Sequence, residues 1–185
     1  MSLVELIAQA DERGLAASGL ACLDRCAPLL GGGDEVFRPL WSSLADGAEW
    51  DAPLAAARAA IGPVDAAADE ATALAHRMLM AAPASRAAGG LREWADGCSV
   101  AALQIHRLLD TVALAATNAP APATVGGYEP TSPLVAAELR RQIRTLELLA
   151  NQGAGAGGLR QAHTVATEGR RVLRAVVSRR ARSAK

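Results

Sequence analysis

The sequence predicts an all-α fold, an up-down-up-down bundle of four long helices with three or four shorter N-terminal helices packed on it. Three observations predict it. Alanine carries much of an apolar fraction of 51%, in runs such as Ala55-Ala56-Ala57 and Ala66-Ala67-Ala68, and it is the strongest helix former because it loses no side-chain entropy. β-Branched and aromatic residues, which strands need, do not gather into alternating runs beyond pairs such as Thr124-Val125. Apolar residues recur instead at spacings of three and four.

Helix boundaries are read from caps. Asp51-Ala52-Pro53, Gly62-Pro63 and Thr131-Ser132-Pro133 each set a capping residue just ahead of a proline, the combination expected at a helix start. The glycines at 31–33, 47, 62, 89–90 and 153–158 read as stops or joints. The stripe through Leu91, Ala95, Cys98, Ala102, Ile105, Leu109, Val112 and Ala116 marks the clearest helix. A second stripe runs from Val64 through Ala67, Ala71, Leu74 and Met78 to Ala82. A third takes Val135, Leu139, Ile143, Leu146 and Ala150, and a fourth runs from Leu159 to Val177. These four stripes place the bundle in residues 63–182, with 183–185 a basic tail end and 1–62 a set of short helices covering one face or end. Pro39 is expected to kink or restart the third short helix. The stretch from Thr117 to Pro130, with its prolines around the sole Tyr, Tyr128, reads as an extended surface loop.

A chain of 185 residues fits a single domain with one core. Phe37 and Tyr128 are single instances of their types and Trp occurs at 41, 50 and 94, so that core must be aliphatic and small. No run of about 18 apolar residues exists, which argues against a membrane span. The N-terminal Met1-Ser2-Leu3-Val4-Glu5 has neither a basic leader nor an apolar stretch, so a cytoplasmic protein with free thiols is expected.

Formal charge is zero but divided. Residues 1–100 hold 7 Arg against 14 acids, net −7, and residues 101–185 hold 12 basic residues against 5 acids, net +7. From Arg170 onward seven basic residues meet no acid. On the last helix Arg170, Arg171, Arg174, Arg179, Arg180 and Arg182 are therefore expected on or beyond the outer rim, ready for a phosphate or a protein partner. Arginines near a helix C-terminus also favour the macrodipole, and neither an aromatic stacking platform nor a helix-turn-helix pattern accompanies them.

Candidates for chemistry are few. Cys22 and Cys26, four apart on one helical face, would need Cys98 and either His106 or His163 to complete a tetrahedral zinc set. Structural zinc sites usually show two close pairs and only one is here, so core packing is the preferred reading and no cofactor is expected. No Glu-x-x-His pair, phosphate-binding glycine loop or nucleophile elbow is present. A pocket or interface could be built from Trp41, Trp94, His106, Arg107 and Tyr128, with Cys98 near it. The leading expectation is a non-enzymatic module acting through a protein partner or a homo-oligomer. The alternatives are a small-ligand or metal-dependent enzyme with a pocket inside the bundle, and nucleic-acid or anionic-surface binding through the Arg-rich last helix.

Overall fold

The computed structural model describes residues 1–116, 132–151 and 156–183, and these hold eight α-helices, a short 3-10 turn at Ala27–Leu29 and no strand. The all-α class is as the composition predicts. The helices are α1 (Leu3–Gln9), α2 (Glu12–Cys26), α3 (Arg38–Asp46), α4 (Asp51–Ile61), α5 (Glu70–Met80), α6 (Ala88–Ala116), α7 (Pro133–Asn151) and α8 (Ala156–Ser183). No described helix is long and apolar enough to cross a membrane.

Local chemistry explains the starts. Ser2 and Glu5 form a reciprocal capping box on α1, and the Asp11 carboxylate accepts the Gly14 N–H at 2.7 Å to open α2. Pro39 lies in the first turn of α3, where its missing N–H costs nothing, and Ser132 caps α7 by accepting from the Val135 N–H at 3.2 Å. Gly62 is the stop its glycine predicts, ending α4 at a positive φ of 69°, but the helix start expected at Gly62-Pro63 is absent, because residues 63–69 are loop and turn. The second long helix accordingly starts at Glu70, capped by Asp69, and Val64 stands 37% exposed outside it. The loop around Tyr128 lies outside the described residues, as do residues 153–155 of the expected Gly153–Gly158 joint, while Ala156, Gly157 and Gly158 already belong to α8.

The larger correction concerns the centre of the molecule. Residues 1–62 do not merely cover a bundle formed by the rest, because α2 is the bundle's axis, with 13 of its 15 residues buried. α5, α6, α7, α8 and α3 all pack against it. Its sequence makes this feasible: Gly14, Ala16, Ala17, Ser18, Gly19 and Ala21 are small on every side, so neighbours approach from all directions. At Gly19 a Cβ would lie 2.6 Å from the Trp94 ring, so only glycine lets that indole lie on α2. Gly169 on α8 plays the same part for Arg25, whose Cδ would be 2.3 Å from an added Cβ.

The smaller helices fix α5 and α6. Arg58 on α4 donates to the carbonyls of Leu79, Met80 and Ala82, satisfying acceptors at the α5 C-terminus. Trp50, fully buried just ahead of α4, donates its indole N–H to the Pro83 carbonyl at 3.1 Å and meets Trp94 edge-on, centroids 5.5 Å apart. The turn between α5 and α6 is thus clamped from below.

Candidate functional site

Two adjacent residues near the end of α2, Asp24 and Arg25, are fully buried and charged. Successive helical residues diverge by about 100°, so each reaches a different wall. Arg25 Nε donates to both oxygens of Glu138 on α7, at 3.1 and 2.9 Å, and its Nη2 to Glu138 Oε1 at 2.7 Å. Gln142, one turn on, donates to the same Oε1 at 3.0 Å and exchanges hydrogen bonds with the Ser99 hydroxyl and carbonyl on α6. Asp24 accepts from Arg170 on α8 at 2.7 Å and from the Trp41 indole at 3.1 Å. Arg170 also donates to the Asp34 carbonyl at 2.9 Å, and the Asp34 carboxylate pairs with Arg174.

Protonation follows from this placement. Burial works against the Glu138 carboxylate, yet Arg25, His106 and the hydrogen bonds hold its pKa below the ordinary value. Burial dominates at Asp24 and raises its pKa despite Arg170 and the Trp41 N–H. Burial pushes the Cys22 thiol up to about 12, against the pull of Arg25, and raises Cys26 and Cys98 strongly as well. The protonated thiol is the stable form at all three positions.

His106 sits beside this network. The Ala102 carbonyl can only accept, so Nδ1 donates to it at 2.7 Å, which leaves the neutral ring's Nε2 bare 3.6 Å from Glu138 Oε2. Burial lowers the His106 pKa more than Glu138 raises it, and burial likewise lowers that of half-buried His163. The unfolded chain therefore takes up these protons first as pH falls below the ordinary value of 6.5, and stability is lost with them. The urea midpoint should fall between pH 7.5 and pH 5.5, and His106→Gln should reduce that fall; an identical fall in the variant would show that His106 does not carry it.

Cys22, Cys26 and Cys98 lie near enough to one another for charge on Cys22 or Cys26 to raise the Cys98 pKa, whereas the expected pocket residues separate. Among the described residues no group of three or more His, Cys, Asp and Glu could hold a metal. Trp94 and Cys98 are four apart and line one groove, whereas His106, turned about 80° further round α6, faces Glu138. Arg107 is exposed, Trp41 is buried against His163 with ring centroids 5.0 Å apart, and Tyr128 is outside the described residues. The four described residues do not form one pocket. The outer-rim expectation for Arg170 is also corrected: it is 8% exposed, because it lies where α8 meets α2. Arg180 pairs with Asp69 at 3.2 Å, while Arg171, Arg179 and Arg182 are exposed.

A second feature is open to solvent. Between α5 and α6 runs a groove of about 590 Å³, floored by Leu74, Met78, Trp94, Cys98 and Ala101. Arg77 stands on its α5 wall and Glu93 on its α6 wall, both exposed and with no ion-pair partner among the described residues. Gly97 also lines it, and a Cβ there would meet no atom within 4 Å. A glycine inside a helix is about 1 kcal/mol less favourable than alanine, and the packing of this chain supplies no reason for it. No family model, curated protein or solved structure matches the chain.

Proposed function

We propose that this protein is a docking module that binds another polypeptide in the α5–α6 groove. The observation carrying this reading is an apolar floor between walls whose two charges, Arg77 and Glu93, have no ion-pair partner among the described residues. Apolar contact supplies the attraction in such a groove, and opposed charges at its rims set orientation and partner choice. Mid-helix Gly97 supports it too, since it leaves the α6 backbone open to close approach.

The test is photocrosslinking in the producing cell with a photoreactive residue at position 97, and at exposed Gln161 on α8 as the control. Position 97 should trap a defined polypeptide that position 161 does not. No polypeptide trapped at 97 beyond the control overturns the reading.

A further inference from the structure

We infer that the occupant of the groove is a second copy of this chain, giving a two-fold dimer through α5 and α6. The inference rests on the docking reading and names its partner. In a two-fold contact the same patch appears on both sides, and an axis along the groove sets the α5 wall of one copy against the α6 wall of the other. The groove carries Arg77 on the first wall and Glu93 on the second. A two-fold axis along the groove pairs each Arg77 with the opposite Glu93, twice, and no foreign sequence is needed to supply the complement.

Shape follows the same rule. A self-contact needs both a hole and a projection on one patch. The hole is the groove with Gly97 at its edge, where the absent side chain exposes α6 backbone to a neighbouring helix. The same axis sets Val100, 65% exposed on α6, against the α5 side of the other copy, and Met80, 41% exposed at the end of α5, against its α6 side. Singly, exposed apolar residues are ordinary. Here they stand on α5 and α6, the two helices whose facing walls carry the opposed charges.

Sedimentation equilibrium with the full chain tests the proposal. The wild type should show twice the 19.0 kDa chain mass. Gly97→Arg should be monomeric with unchanged circular dichroism, since position 97 has open space around it. Arg77→Glu and Glu93→Arg should each weaken the dimer at least tenfold, by placing like charges opposite one another. The double variant Arg77→Glu/Glu93→Arg should recover it, a rescue that a partner of different sequence cannot give. A monomeric wild type overturns the second copy, and so does a dimer indifferent to Gly97→Arg or a charge swap that fails to rescue. If the wild type is monomeric while position 97 traps a different polypeptide, the docking reading stands and only the second copy falls; if nothing is trapped, both fall.

Discussion

Glu138→Ala should lower the free energy of unfolding by about 3–5 kcal/mol, read as a fall in the urea midpoint at unchanged slope. The side chain it removes is the sole carboxylate bonded to Arg25 among the described residues, and both groups are fully buried. Its loss leaves a guanidinium inside the bundle with no counter-charge and strips Gln142 of an acceptor. The size of the effect belongs to the orphaned charge, not to the net worth of the pair. Replacing both partners, as Arg25→Met with Glu138→Leu, should therefore recover most of the loss, since an apolar pair of similar volume avoids desolvating two ions. A double variant as unstable as the single one would refute this account.

That pair also shows where sequence reasoning stopped. The helix start at Pro133 was legible because Ser132 caps it locally, and Pro39 marked a restart because proline fits the first turn of a helix and not its interior. The α6 stripe was legible because Leu91, Ala95, Cys98, Ala102, Ile105 and Leu109, all buried, keep an apolar period. On α7 the same method selects Val135, Leu139, Ile143, Leu146 and Ala150; Val135 and Leu146 are buried, but Glu138, Gln142 and Thr145 share that face, Leu139 and Ile143 are only half-buried and Ala150 is exposed. Apolar periodicity counts a carboxylate as a solvent-facing residue. Its partner is 113 positions away, and Asp24 and Arg170 are 146 apart, so nothing local signals that these charges neutralise one another. α2 was missed as the axis for the opposite reason. A helix buried on all sides has no polar face for a period to reveal, and its small residues suggest a modest covering helix. The groove did leave one mark in the sequence, which is Gly97 in the middle of a 29-residue helix where neither a turn nor a cap requires it.

Trp50→Ala should cost about 3–5 kcal/mol of stability, the usual range for truncating a buried aromatic. Trp50 is fully buried, and its loss removes the indole N–H from the Pro83 carbonyl and the ring from the face of Trp94. The consequence should reach the groove. Trp94 is held by its own N–H bond to the Met78 carbonyl at 2.9 Å and by close contact at Gly19, and its ring forms part of the groove floor. With Trp50 gone, one side of that ring faces a cavity, and the α5–α6 turn loses its clamp. Self-association, measured by sedimentation in conditions where circular dichroism shows the variant folded, should weaken together with stability. Trp50→Phe separates the two contributions. It keeps an aromatic edge against Trp94 but leaves the Pro83 carbonyl without its donor, so about 1–3 kcal/mol should be lost while the dimer is largely retained. If Trp50→Ala loses stability but dimerises as the wild type does, the floor does not depend on the residue beneath it, and binding would lie in the walls, where Arg77, Glu93 and Gly97 stand.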